Sequence, residues 1–376
     1  MNTFSFSIIH KSKKSRARVG RITTPHGIID TPSFVAVGTN GTIKALDNRL
    51  VEQLGVQLMF CNTYHLILHP GAHIVKQGGG IHKFINRTVP IITDSGGFQV
   101  FSLKYGSVHD EIKSRGTKRN ENSVVKITED GVLFRSYRDG TPVLLTPETS
   151  IQAQKDIGAD IIVSLDELPP YHMPEKKLKA SFDRTHRWEK RSLDAHLANK
   201  QGQALYAVVH GGLDTELRKQ SCQILSALPF DGYAIGGSLG KSHEDLFSLL
   251  RFVMPLVPED KPNHLLGIGD LKSLEECIPF GIDTFDSSHP TKAARHGLLL
   301  TKNGKMRATQ SGNIQKFRPI EDDCPCYTCQ HYTLSYLCHL FKANELTAFT
   351  LATIHNISFM VRYMADMRNK ILNDEI

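Results

Sequence analysis

Eight short apolar runs, each ending abruptly at a polar residue or a glycine, constrain this chain more than any other feature. They are Phe34–Val37, Leu58–Cys61, Ile91–Thr93, Ile161–Leu165, Leu205–Val209, Gly232–Ile235, His264–Ile268 and Ile282–Phe285. They stop at Gly38, Asn62, Asp94, Asp166, His210, Gly236, Gly269 and Asp286. Buried parallel strands read as continuous apolar runs, because packing covers both of their faces. Eight of them, mostly separated by helix-length segments, form the pattern of an α/β (β/α)8 TIM barrel, whose active site lies at the strand C-termini. Three of the stops are aspartates. The chain therefore reads as an enzyme with carboxylates at the barrel mouth.

The remaining sequence divides around that barrel. Residues 1–31 precede the first barrel strand and form an N-terminal cap, with Thr23–Gly27 as a turn between two short strands. The barrel spans 32–300. The interval after Thr93 is too long for one crossover, and Asp139-Gly140 between two apolar runs marks a hairpin within an insertion at 104–146. That insertion includes a polar stretch with Lys113, Arg115, Lys118 and Arg119, read as a surface loop. A cysteine-containing subdomain follows at 301–358, and 359–376 supplies the closing barrel helix. No run of eighteen apolar residues and no signal-like start occurs, so neither membrane insertion nor secretion is expected and the cytoplasm is the default. A net charge of +7 agrees with a polyanionic partner without establishing one.

Seven cysteines without an export signal argue against a disulfide framework. Three of them lie in Cys324-Pro-Cys326-Tyr-Thr-Cys329, a spacing that supplies three thiolates from one tight loop. Tetrahedral zinc needs a fourth N or S donor. His331 and His339 compete for that place, but His355 is best placed to return from a second helix. Four protein donors leave no open position, so one structural zinc per chain is expected. A zinc hydrolase is disfavoured, because no His-x-His stands at a strand end and the cysteines lie beyond the last strand.

Asp94 opens Asp94-Ser95-Gly96-Gly97-Phe98-Gln99, where the glycines allow close backbone approach and Phe98 offers a face for a planar ligand. Asp166 and Asp286 end their own runs, whereas Asp283 has the opposite strand parity and should point elsewhere. Two carboxylates at a glycosidic bond divide the work: one attacks the anomeric carbon and the other moves the leaving group's proton. A third can accept hydrogen bonds from a guanine-like base. Pattern alone does not separate a sugar substrate from a nucleoside.

At these residues the chain resembles the tRNA-guanine transglycosylases over almost its whole length. The resemblance is carried by Thr24-Pro25-His26-Gly27, Val37-Gly38-Thr39, Gly41-Thr42, Asn62-Thr63-Tyr64-His65-Leu66 and the Asp94–Gln99 segment. Phe134-Arg135-Ser136, Gly232-Tyr233-Ala234-Ile235-Gly236-Gly237, Asp286 and the cysteine loop continue it. It implies exchange of the wobble guanine in G-U-N anticodons of the Asp, Asn, His and Tyr tRNAs for a 7-deazaguanine base. Asp286 would be the nucleophile and Asp94 the general acid/base. Ser95, Phe98, Asp166, His210 and Gly237 fall at base-binding positions, and Gly267, Ser273, Thr291, Lys292 and Arg295 at tRNA-binding ones. No redox cofactor is implied, and a homodimer is.

Four positions depart from the family. His210 stands where glutamine is usual, Leu168 where cysteine is, and Leu266 where methionine is common. Gly236-Gly237 is followed by Ser238-Leu239-Gly240-Lys241, one residue shorter than the usual bacterial loop and without its acidic residue. The loop lies over the 7-substituent in the family, so this shortening implies acceptance of queuine rather than the prequeuine base. Two other readings stand beside this one: a non-catalytic zinc- and tRNA-binding subunit, which retention of both aspartates disfavours, and an archaeosine-type enzyme, which the absence of an added C-terminal RNA-binding domain disfavours.

Overall fold

The computed structural model describes residues 4–99, 124–171 and 173–376. Lys113, Arg115, Lys118 and Arg119 lie outside the described residues, as does part of the 104–146 insertion. Eight strands close into a barrel: β4 (Ser33–Val37), β5 (Met59–Cys61), β6 (Ile91–Thr93), β10 (Ile161–Val163), β11 (Ala204–Val209), β12 (Gly232–Ile235), β13 (Asn263–Leu265) and β14 (Thr284–Ser287). Every neighbouring pair is parallel, and β14 pairs with β4 to complete the circle. The expected TIM barrel is present.

Strand parity sorts the side chains. Val35, Phe60, Ile92, Ile161, Val163, Ala204, Tyr206, Val208 and Ala234 pack together as the barrel interior. Their neighbours Phe34, Ala36, Met59, Ile91, Ile162, Leu205, Ala207, Ile235, Leu265 and Phe285 join the larger cluster that includes the surrounding helices. Alternation of this kind follows from the two-residue period of a strand. It also explains why the strands read as unbroken apolar runs, since one face meets the interior and the other the helix ring.

Three strands depart from their apolar runs by two or more residues at an end. β10 stops at Val163 rather than Leu165, because Leu165 N–H donates to Ser192 Oγ (3.2 Å) and so leaves the ladder. β13 stops at Leu265 rather than Ile268, where Gly267 turns the chain at φ +72°. β14 starts at Thr284 and runs through Asp286, so this aspartate is a strand residue and not the residue after one. Hydrophobicity marks burial, and burial extends past the last ladder bond.

The floor of the barrel is capped by an antiparallel sheet of β1 (Ser5–Lys11), β2 (Arg18–Thr24) and β3 (Gly27–Thr31), whose Ile22 and Ile29 complete the interior cluster. Arg18 binds Asp283 through both nitrogens of a fork, Nε at 2.9 Å and Nη2 at 2.6 Å. Asp283 also accepts from Asn263 N–H at 2.8 Å. Its side chain thus serves the floor, as parity indicated. Burial holds its carboxyl above the ordinary range even against the Arg18 guanidinium. A second antiparallel sheet, β7 (Val124–Ile127), β8 (Val132–Arg135) and β9 (Pro142–Leu145), contains the hairpin at Asp139-Gly140.

Beyond β14 come a helix at His289–Arg295, the hairpin of β15 (Leu298–Thr301) and β16 (Gly304–Arg307), and helices at Tyr327–His331, Leu334–Lys342 and Leu346–Leu372. Asn344 at φ +57° separates the last two, the left-handed position at which helices commonly end. The final helix runs 27 residues with no glycine or proline to interrupt it. The division expected between 358 and 359 falls inside it, so His355 and the closing segment belong to one rigid element. Among the described residues, no helix is long and apolar enough to cross a membrane.

Replacing Arg18 by methionine would strand the buried Asp283 carboxylate. The loss should be about 3–5 kcal/mol, read as a lower denaturant midpoint at unchanged slope.

Candidate active site and metal centre

The mouth of the barrel holds a pocket of about 600 Å³ lined by Asp94, Ser95, Phe98, Asp166, Gly237, Gly267 and Asp286, each expected from the sequence to belong to the site. Its floor is apolar: Val37, Phe60, Val163, Val208 and Leu266 form the last layer of the barrel interior. Carboxylates above a dry floor are poorly solvated. The hydrogen-bond donors that the protein supplies to each one therefore replace the water it has lost.

Asp94 is 8% exposed and held by the residues that follow the preceding strand, β5. Thr63 N–H donates to Oδ1 at 2.7 Å and Asn62 Nδ2 to Oδ2 at 2.8 Å. Gln99 adds a further side-chain hydrogen bond. Burial outweighs all three, with a smaller push from the nearby Asp166 charge, and lifts the Asp94 carboxyl to about 6. Such a group holds and releases a proton near neutral pH. Asp286, also 8% exposed, is held among the described residues on one oxygen: Oδ1 accepts from Gly267 N–H at 2.7 Å and contacts His264 Nε2 at 3.1 Å. The left-handed backbone at Gly267 is what aims that N–H at the carboxylate.

Asp166 is held on both oxygens. Ser95 Oγ donates to Oδ1 at 3.3 Å and His210 Nε2 lies 2.8 Å from Oδ2. The Asp94 and Asp166 loops approach so closely that a Cβ at Gly97 would stand 2.5 Å from the Asp166 carbonyl oxygen. Phe98 is 48% exposed at the pocket edge.

The structure separates the other expected site residues. His210 does not line the pocket; it is buried behind Asp166, with its N–H donated to Ser221 Oγ at 3.0 Å. Its influence on a ligand passes through the carboxylate. Ser273 and Thr291 are 1% and 2% exposed, so their side chains offer no surface to a nucleic acid. Ser273 N–H donates to the helix cap Asp270, and the Thr291 hydroxyl to the Ser288 carbonyl. Of the five expected tRNA-facing positions, Gly267, Lys292 and Arg295 remain accessible. Sequence reasoning missed Asn62 and Thr63 as the clamp on Asp94, and His264 beside Asp286. Parity could have found His264, which is two residues from Leu266 on the inward face.

Cys324, Cys326, Cys329 and His355 converge and are all buried. The three Sγ atoms lie 3.8, 3.7 and 3.4 Å from His355 Nδ1, the edge lengths of a tetrahedron of metal donors. His355 Nε2 donates to the Leu300 carbonyl at 2.8 Å, which directs the Nδ1 lone pair at the thiolates. The four residues fit a metal ion.

Parallel barrel, strand-end carboxylates over an apolar floor and a buried Cys3His group together define a (β/α)8 enzyme with a group that could hold a metal ion. Comparison with known proteins narrows this. The sequence model described as "Queuine tRNA-ribosyltransferase" matches residues 12–376. The chain is 65% identical over 376 residues to the queuine tRNA-ribosyltransferase of Protochlamydia amoebophila (strain UWE25), covering 100% of this chain and 97% of that relative. It is 52% identical over 372 residues to those of Chlamydia felis (strain Fe/C-56) and Chlamydia trachomatis serovar L2, covering 99% of each chain. The chain belongs to the queuine tRNA-ribosyltransferase family, the tRNA-guanine transglycosylases, and is an enzyme of the pentosyltransferase class.

Asp94 gives a pH-dependent prediction. Its carboxyl ionises near 3.8 when unfolded and near 6 when folded, so the folded chain binds more protons between those values. That contribution to stability is present below 3.8 and is lost as pH rises through 6. Asp94→Asn should therefore raise the unfolding free energy by about 1–3 kcal/mol at pH 8, with the gain vanishing toward pH 4. Denaturant melts at the two pH values measure it.

Proposed function

We propose that the chain replaces the wobble guanine of G-U-N anticodons, in the Asp, Asn, His and Tyr tRNAs, with queuine through a covalent aspartyl-ribose intermediate. One observation carries the reading: two carboxylates from separate strands meet in one pocket and are held in opposite ways. Asp286 has both donors on Oδ1, leaving Oδ2 without a hydrogen bond among the described residues. Asp94 is clamped on both oxygens and ionises near neutral pH. These are the needs of a nucleophile and of a proton shuttle.

In the first half-reaction an Asp286 oxygen bonds to C1′ of the ribose as the bond from C1′ to guanine breaks. Asp94, in its acid form, gives its proton to the departing base. In the second, the Asp94 carboxylate takes a proton from the incoming deazapurine, whose nitrogen bonds to C1′ and releases Asp286. One glycosidic bond is broken and one made, so no energy source is needed. Asp166 accepts hydrogen bonds from the base N–H groups, Ser95 and Gly237 complete the edge, and Phe98 stacks on its face. Lys292 and Arg295 meet the anticodon-loop phosphates.

Queuine is favoured by the wall at 236–240, made of Gly236, Gly237, Ser238, Leu239 and Gly240. The next acidic residues, Glu244 and Asp245, lie in the first turn of the helix that follows, where Asp245 accepts from Lys241 and Ser242 N–H groups at 2.8 and 3.2 Å. No carboxylate of this loop is left to pair with a primary ammonium, and small residues leave room for a bulkier substituent. Zinc at Cys324, Cys326, Cys329 and His355 would supply a cross-link rather than a Lewis acid, since four protein donors leave no open position. A cytoplasmic homodimer completes the reading.

The test is base exchange on tyrosine tRNA loaded with labelled guanine. Release by queuine, absent in Asp286→Asn, supports the assignment; efficient release by prequeuine base alone overturns the choice of base. Cys326→Ser should lose bound zinc by elemental analysis and melt several degrees lower.

A further inference from the structure

His264 is fully buried in β13, faces the barrel interior and stacks on Phe60 with ring centroids 5.8 Å apart. Its Nε2 lies 3.1 Å from Asp286 Oδ1 and its Nδ1 lies 2.9 Å from Thr284 Oγ1. The Thr284 hydroxyl is also 3.1 Å from the Asn263 carbonyl oxygen. Thr284 and Asp286 share strand parity, so the three side chains form one column on the inner face of β13 and β14.

The protonation of this ring follows by elimination. A bare Nε2 would set a lone pair against the Asp286 carboxylate at a fully buried ring. Nε2 therefore carries a proton. Either Thr284 donates its hydroxyl proton to Nδ1 of a neutral ring, or it accepts from Nδ1–H of a charged ring while donating to Asn263 O. Both arrangements aim an N–H at Oδ1, beside that of Gly267.

We propose that His264 is the positioning residue of the nucleophile: with Gly267 it occupies Oδ1 and thereby turns Oδ2 toward the ribose. This rests on Asp286 being the nucleophile. The two donors match each state that Asp286 passes through. Before attack they hold one oxygen of the carboxylate. After Oδ2 bonds to C1′, Oδ1 is the ester carbonyl oxygen and still accepts both hydrogen bonds. When the incoming base displaces Asp286, the electron pair of the C1′–O bond returns to a carboxylate already oriented and stabilised. Thr284 fixes the ring from behind, and Phe60 holds its plane.

The experiment compares His264→Leu, which removes the donor, with His264→Gln, whose amide nitrogen can reach the same oxygen. Thermal melts confirm that both variants fold. His264→Leu should lower kcat for guanine exchange roughly 10- to 100-fold, the scale of one hydrogen bond to a charged group, with KM for tRNA changed little. His264→Gln should recover most of kcat. The amount of covalent enzyme–tRNA adduct trapped on denaturing gels should fall in the leucine variant and return in the glutamine variant. Equal kcat in wild type and His264→Leu overturns the proposal, as does a loss in both variants that appears in KM alone. Asp286→Asn run alongside separates the two ideas: full exchange by that variant removes the nucleophile assignment itself, whereas an inactive Asp286→Asn beside a fully active His264→Leu removes only the role of His264.

Discussion

Closing eight parallel strands into a circle gives every strand an inside and an outside, and the rest of this molecule depends on that division. Inward positions near the floor are apolar and packed by Ile22 and Ile29 from the cap. The same inward rows, followed toward the strand ends, deliver Asp94 after Ile92, Leu266 after His264, and Asp286 after Thr284. The pocket at the barrel mouth is thus the top layer of the core. An ionisable group there sits on hydrocarbon rather than water, and its behaviour is decided by a few N–H donors at known distances. The difference between Asp94, clamped on two oxygens, and Asp286, held on one, arises from which loop happens to rise beside each strand.

Much of this was legible because burial leaves a compositional trace. Continuous apolar runs marked all eight strands, and their polar stops located Asp94, Asp166 and Asp286. The spacing of Cys324, Cys326 and Cys329 announced a donor group because few other structures need three thiols within six residues. What stayed hidden was of two kinds. His264 lies within an apolar run and reads as part of a strand; only the inward row it shares with Leu266, set against Thr284 and Asp286 on β14, shows what its ring is for. Arg18 and Asp283 are 265 residues apart, and no local pattern joins them.

Residues chosen by resemblance fared according to their backbone. Gly237 and Gly267 line the pocket because their contribution is main-chain and tolerates burial of everything around them. Ser273 and Thr291 have hydroxyl side chains that the fold turns inward. His210 illustrates a third case: an imidazole placed where an amide is usual has one nitrogen on Asp166, so the ring acts on the carboxylate instead of replacing it as a contact.

The last helix places a long-range constraint on how this chain reaches its native state. Near its middle His355 joins the cysteines, while Asn356 donates to the Pro290 and Leu298 carbonyls, the first of them in the helix that follows β14. Farther along, Arg368 donates to the Pro32 carbonyl at 2.8 Å, at the entry to β4 and 336 residues away in sequence. The helix thus lies along the seam where the first and last barrel strands meet. Contacts of such high order form late, because the whole intervening loop must close before they return any energy. His355, by meeting Cys324, Cys326 and Cys329 near the centre of the helix, shortens the search that its far end must make to reach β4.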